Sequence, residues 1–258
     1  MDDNKLPEFF YEIFNASLPR LGAGNDRSTM QALVMLRSVK PGLTDKIKVL
    51  DLGCGNGAQT IQLAKHIDGT ILALDNHQPF LDELQRRAEA KGVSEKIQVC
   101  LKDMATLVPS DGPFDLIWCE GAIFGMGFRE GLTVCHDLLT PDGLMAVSEL
   151  TWFQPDPPEE CRQFFETGYP AMVDIDANLA IIKSCGYESI GHFTLPESAW
   201  LESFYNPLEK HLQTLRKQYS ADPAKAELMD MIQKEIDIYR KYSAYYGNVF
   251  FLMQRIRP

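Results

Sequence analysis

Seven residues between positions 51 and 120 have types and spacings that could do chemistry together: Asp51, Gly53, Gly55, Gly57, Asp75, Asp103 and Glu120. The first four lie in residues 47–58, IKVLDLGCGNGA, where a hydrophobic run of strand length ends in Asp51 and Leu52 and gives way to three glycines. Close glycines cost backbone entropy on folding, and a ligand lying against bare backbone is the usual reason for them. Residues 60–67 read as a helix, so the stretch is strand, glycine turn, helix, which suits anions and nucleotides. Spacing leaves two kinds of ligand open. Gly53, Gly55 and Ala58 fit the G-x-G-x-x-A pattern of dinucleotide sites, with Asp75 20 residues beyond Gly55 where a ribose-binding acid belongs. Three details turn away from NAD: Asp51 stands two residues before the first glycine, the glycines run G-x-G-x-G, and later strand ends add Asp103 with Met104 and Glu120 with Gly121.

For these groups to meet, several strand ends must reach one edge of one sheet. Strands are expected over 70–74, 97–101, 114–119 and 144–149, with helices over 80–91 and 132–139 between them. That alternation predicts a mostly parallel sheet covered on both faces. Ligands of such sheets bind outside the carboxyl ends of the strands. Ahead of it, residues 1–20 carry Phe9, Phe10, Ile13, Phe14 and Leu18 on one helix face after Pro7, packed either at the ligand mouth or on the sheet edge. Asp26 is expected to cap a helix bearing Met30, Leu33, Val34 and Leu36. Beyond Thr151, Asp176 is expected to cap a helix over 177–185, before a strand over 187–195. Asn206, Pro207 and Glu209 read as cap, first-turn proline and N3 carboxylate, and Asp222 with Pro223 repeats the start. Two long helices therefore precede a last strand over 249–256. The expected organisation is a single domain over 1–258, with an N-terminal helical cap over 1–40 and a helical excursion over 196–246 on the substrate side.

A chain of 258 residues can bury a full core. Its net charge of −11 argues against a general polyanion binder, so no nucleic-acid partner is expected. Six cysteines, at 54, 100, 119, 135, 161 and 185, form no CxxC pair, which fits a reducing compartment and predicts a cytoplasmic protein without a metal site. No apolar run reaches membrane-spanning length, and no membrane insertion is expected.

The run DLGCGNG resembles motif I of the class I S-adenosylmethionine-dependent methyltransferases, an acid followed by hGxGxG, and the resemblance extends from Val49 to the terminal strand. The long N-terminus and helical excursion are similar to the small-molecule branch related to ubiquinone and menaquinone biosynthesis methyltransferases. This resemblance implies an α/β fold: a Rossmann-like seven-stranded mostly parallel sheet with helices on both faces and an antiparallel last strand. It implies S-adenosyl-L-methionine as cofactor. Gly53, Gly55 and Gly57, with Asp51 and Asn56 in the same turn, would lie along its amino-acid and ribose portions. Asp75 would accept both ribose hydroxyls, with Asn76 beside the adenine. Asp103 would approach the adenine amino group and Met104 would supply apolar contact, while Glu120 and Gly121 would lie near the methionine part and the methyl group. Asp51 and Asn56 could equally serve the turn itself.

Elementary chemistry agrees with that placement. A ribose diol suits a carboxylate acceptor, and a sulfonium suits Glu120 and aromatic faces. Methyl transfer is an in-line displacement that depends mainly on positioning, so no catalytic triad is required. The segment after the fourth strand, CEGAIFGMGF, is not an NPPY-like or DPPY-like tetrad, which disfavours an adenine or glutamine amide acceptor. A small-molecule metabolite is expected instead. Candidate catalytic groups are Glu120 and Tyr246, with Glu149, Trp152, His192, Tyr205 and Tyr242 as further candidates. Aromatic residues at 200, 204, 205, 239, 242, 245 and 246 either line a lid or form the seam joining the excursion to the sheet. An NAD-dependent oxidoreductase and a non-catalytic cofactor-binding partner subunit are the alternative readings, and a homodimer is compatible with the aromatic excursion.

Overall fold

The computed structural model describes residues 8–43 and 45–256. Pro7, the expected start of the first helix, lies outside them. Two helices, α1 (Glu8–Ile13) and α2 (Asp26–Val39), precede an alternating run: β1 (Asp45–Leu52), α3 (Ala58–His66), β2 (Asp68–Asp75), α4 (Gln78–Ala90), β3 (Ile97–Leu101), β4 (Phe114–Glu120), α5 (Phe128–Leu138) and β5 (Leu139–Trp152). Then follow α6 (Glu159–Gly168), α7 (Ile175–Ser184), β6 (Tyr187–Thr194), α8 (Glu197–Trp200), α9 (Asn206–Gln218), α10 (Pro223–Tyr242) and β7 (Tyr246–Arg255). The seven strands form one sheet in the order β3-β2-β1-β4-β5-β7-β6. Only β7 runs antiparallel to its neighbours. This is the Rossmann-like architecture that the family resemblance implies, its mostly parallel part also expected from the alternation, with helices α8–α10 intervening before the antiparallel last strand.

The strand order reverses between β1 and β4, which opens a crevice at their carboxyl ends. Alternation along the strands divides the core into two layers. Ile47 and Val49 of β1 join Trp118 and Phe250 in a layer with α2, α3, α4 and α8–α10. Leu50, Leu52, Ile117 and Cys119 face a second layer built on α5 and α7. Both faces of β1 and β4 are therefore apolar, and polar groups on these strands are confined largely to their ends.

Three helix starts differ from the sequence reading. Asn25, not Asp26, caps α2: its backbone is extended and its side chain accepts from Ser28 N at 2.8 Å, leaving Asp26 in the first turn. Asp174, not Asp176, caps α7, accepting from Ala177 N at 2.8 Å. Asn206 is no cap at all, because α8 runs through a π-helical turn at Leu201–Tyr205 directly into α9. The wider turn absorbs Pro207, whose missing N–H would otherwise break the ladder. Glu209 pairs instead with Arg240 of α10 at 2.7 Å. Asp222 does cap α10, accepting from Lys225 N at 3.1 Å.

Among the described residues no helix is long and apolar enough to cross a membrane, no group of His, Cys, Asp and Glu could hold a metal ion, and the six cysteines are free.

Candidate functional site at the β1–β4 crevice

Gly53 and Gly57 turn the chain from β1 into α3 with φ of 68° and 80°. A Cβ at Gly53 would stand 2.3 Å from that of Ala122, and one at Gly57 would stand 2.1 Å from Leu84 Cδ1. These two positions need glycine both for their left-handed backbone and for close packing. Between them, Gly55 N donates to Asp75 Oδ2 at 2.9 Å, and the other carboxylate oxygen accepts from His77 N at 3.0 Å. Asp75, the last residue of β2, is thus locked beside the turn with one lone pair left on each oxygen. Burial raises its carboxyl above the ordinary range, opposed by these backbone donors.

Asp51 lies beneath the turn with no exposure, accepting from Thr60 Oγ1 at 2.5 Å and Gln59 Nε2 at 3.3 Å. Burial pushes it up to about 7, and the neighbouring Glu120 and Asp75 charges act in the same direction. It serves the α3 start. Asn56 is also buried and donates to Ala16 O at 3.0 Å and Leu18 O at 2.7 Å. It therefore holds the segment between α1 and α2.

Glu120, at the end of β4, carries the densest set of partners. Arg20 Nη1 pairs with one oxygen at 3.0 Å; Thr29 Oγ1 and Trp118 Nε1 donate to the other at 2.7 and 2.9 Å. Both charged side chains are almost wholly desolvated. Next to it, Gly121 N donates to Ser148 Oγ of β5 at 2.8 Å. Met104 reaches the same turn, its Cε 3.3 Å from a Cβ placed on Gly53. Asn76 and Asp103 are exposed at the rim, and Asp103 accepts from Ala105 N at 2.9 Å.

Tyr246 stands apart from this group. It begins β7, is 1 % exposed, and packs edge-on against Phe165, Trp152 and Tyr239. Trp200, Phe204, Tyr205, Tyr239 and Tyr242 are buried with it. His192 is exposed on the edge strand β6, and Tyr242 donates to Glu160 at 2.6 Å in a surface network with Lys241.

Several residues at the crevice escaped the sequence reading. Tyr11 of α1 stacks on His77 with centroids 3.7 Å apart. Arg87 of α4 donates to Ala16 O, Leu18 O and Pro19 O at 3.1, 2.8 and 3.2 Å, drawing the N-terminal segment over the glycine turn. Nothing local marks Arg20 or Thr29, since their partner is 100 and 91 positions away.

A second buried acid stands at the end of β5. Glu149 is 4 % exposed and accepts from Tyr169 Oη at 2.6 Å. Burial raises its carboxyl from 4.5 to about 7 against that hydrogen bond. Because the folded-state value lies above the unfolded one, the stability from the neutral form is complete below the ordinary carboxylate range. It is lost as pH rises to about 7. Glu149→Gln keeps an acceptor for Tyr169 and removes the charge. From pH 4 to pH 8 the variant is expected to gain about 3 kcal/mol relative to wild type in urea unfolding. Parallel pH curves for the two proteins would show that Glu149 is solvated.

Residues 49–143 match the methyltransferase-domain family. A sterol 24-C-methyltransferase of Aspergillus fumigatus is 26 % identical over 175 residues, covering 65 % of this chain and 46 % of that protein. The chain thus spans about half the length of the sterol methyltransferases it matches. A demethylmenaquinone methyltransferase of Lactobacillus johnsonii is 31 % identical over 161 residues, 57 % of this chain and 63 % of that one. In fold, the chain superposes on a Geobacter sulfurreducens S-adenosylmethionine-dependent methyltransferase crystallised with S-adenosyl-L-homocysteine. The TM-score is 0.80 at 21 % identity, covering 96 % and 98 % of the two chains. Motif, strand order and sequence match agree: residues 49–143 match the methyltransferase-domain family, and the chain as a whole shares the fold of S-adenosylmethionine-dependent methyltransferases.

Proposed function

We propose that this chain transfers the methyl group of S-adenosyl-L-methionine to a small-molecule acceptor. The Asp75 carboxylate carries the reading. Backbone N–H groups of Gly55 and His77 fix it at the crevice, and each oxygen keeps a free lone pair, as recognition of a ribose diol requires. The surroundings fit the rest of the cofactor. Asp75 has no ion-pair partner among the described residues, and its carboxylate suits a ligand that carries positive charge. The bound cofactor supplies an electrophilic methyl. The chain's own part is to hold the two reactants in line and exclude water.

In this reading Gly53, Gly55 and Gly57 offer backbone to the cofactor, and Asn76, Asp103 and Met104 form its adenine rim. Glu120 and Gly121 flank the methyl end. Held by three donors, Glu120 acts there as an electrostatic and positioning group. Glu149, with its raised carboxyl and Tyr169 partner, stands at the end of β5, the strand next to β4. Helices α8–α10 cover the acceptor side. Of their large apolar side chains only Met231 is exposed among the described residues, which favours an enclosing role over a docking surface for a partner subunit. The matched relatives are named for a sterol and for demethylmenaquinone, which supports a metabolite as acceptor. Free cysteines throughout accord with a cytoplasmic setting.

Calorimetric titration with S-adenosyl-L-homocysteine is expected to show 1:1 binding that NADH does not displace. Effective competition by NADH would support the oxidoreductase reading, and a folded sample that binds neither would reject the site.

A further inference from the structure

Helices α8–α10 enclose a polar feature that packing alone does not require. Tyr205 Oη donates to Glu235 Oε1 of α10 at 2.8 Å, and Glu235 has no cationic partner among the described residues. Its other oxygen takes no hydrogen bond from them, and the side chain is half-buried. Close by, the phenol oxygen of Tyr246 is fully buried with no hydrogen-bond partner at all among the described residues. The walls are aromatic: Phe165 lies 4.4 Å from the Tyr246 ring, and Trp200 stacks on Tyr239 at 4.5 Å and tilts over Tyr205 at 5.5 Å. An orphan hydroxyl in a native core calls for a ligand or water to complete it.

This box adjoins the crevice. Trp200 follows Ala199, whose carbonyl accepts Gly24 N at 3.1 Å, and a Cβ on Gly24 would stand 2.9 Å from Glu120 Oε2. Tyr246 pairs in register with Trp152 of β5, the strand beside β4. A ligand in the box would therefore lie next to the methyl end of the cofactor site.

The ring faces, the Glu235 carboxylate and the Tyr246 oxygen all attract positive charge. Ring faces carry negative potential, a carboxylate without counter-ion needs one, and a phenol oxygen accepts N–H donors. We propose that the methyl acceptor is a small organic amine with an apolar body, held in this box against Glu235 with Tyr246 as its hydrogen-bond partner. The inference rests on the methyltransferase reading above and narrows its substrate class. Transfer forms an N–CH3 bond and breaks the S–CH3 bond, whose electron pair stays on sulfur. The attacking nitrogen needs its lone pair, so an N–H proton passes to the Glu235 carboxylate before or during transfer. Burial raises that carboxyl, which favours accepting the proton.

The test is calorimetric titration of the protein loaded with S-adenosyl-L-homocysteine, using tetramethylammonium, phenethylamine and the uncharged 2-phenylethanol. Both cations are expected to bind, and phenethylamine at least tenfold tighter than the alcohol. Glu235→Gln is expected to weaken both cations at least tenfold while leaving S-adenosyl-L-homocysteine affinity unchanged. Tyr246→Phe should weaken phenethylamine several-fold but not tetramethylammonium, which has no N–H to donate. Equal binding of alcohol and amine, or no binding of either cation to wild type, overturns the amine assignment and leaves a packed aromatic seam. Loss of S-adenosyl-L-homocysteine binding itself would instead strike the methyltransferase reading, so the two failures are distinguishable.

Discussion

Asp75→Ala is expected to lower affinity for S-adenosyl-L-homocysteine about 100-fold, with little change in thermal midpoint. The carboxylate sits at the end of β2, and its two oxygens accept one backbone N–H each. Their remaining lone pairs would bond two ribose hydroxyls. Two hydrogen bonds to a charged group, at roughly 1.5 kcal/mol each, amount to about two orders of magnitude in affinity. The cost to the fold is expected to be smaller because burial disfavours the charged form of Asp75. Asp75→Asn should fall between the two proteins, since the amide keeps one acceptor but presents N–H groups to one backbone donor. Affinity of wild type should also fall on acidification, beginning above the ordinary carboxylate range because the free-enzyme carboxyl is raised. Calorimetry on the three proteins from pH 5 to pH 8 measures all of this. Unchanged affinity in Asp75→Ala would reassign the residue to holding the turn at Gly55.

The parts of the site that could be read from sequence share one property: they lie within a few residues of a strand end. Gly53, Gly57 and Asp75 follow from strand, turn and helix in succession, because the turn geometry that demands glycine is set by its immediate neighbours. The mostly parallel sheet follows from the alternation of strands and helices, whereas its antiparallel last strand was expected only from the family resemblance. The parts that could not be read depend on long-range meeting of segments. Glu120 was legible as a strand-end acid, whereas its partner Arg20 lies in an irregular segment with no periodicity. Asn56 reads as a turn residue because Asn tolerates such turns, and only tertiary structure shows its amide reaching Ala16 and Leu18. Caps failed for a different reason. Asn25 beside Asp26 offers two good capping groups in adjacent positions, and the choice depends on which backbone is extended. At Asn206 the local signal is strong, yet the helix runs on through it from α8 by way of a π-helical turn.

Arg20→Ala should be the most destabilising single change at the crevice. Arg20 bridges Glu120 at 3.0 Å and Asp26 at 3.2 Å, tying β4 to the start of α2. The Glu120 side chain is 4 % exposed, so removal of the guanidinium leaves a desolvated carboxylate with only Thr29 and Trp118 as neutral donors. Breaking a buried pair in this way typically costs about 3–5 kcal/mol. For a domain of this size that corresponds to a fall in Tm of roughly 6–15 °C. The pair itself need not stabilise the fold by as much, because most of the loss comes from the stranded charge. Adding Glu120→Gln to Arg20→Ala removes that charge, and the double variant is expected to recover more than half of the lost stability. Binding should respond differently. The segment carrying Arg20 also presents Leu21 to Gly55 and Gly24 to Ala199, and without its anchor the double variant is expected to bind S-adenosyl-L-homocysteine at least tenfold more weakly despite its restored Tm. Differential scanning calorimetry and titration on the wild type, both single variants and the double variant complete the cycle. A loss below about 1 kcal/mol in Arg20→Ala, within the range of exposed pairs, would mean that Glu120 finds water once Arg20 is gone, and that the crevice is held shut by Asn56 and Arg87 alone.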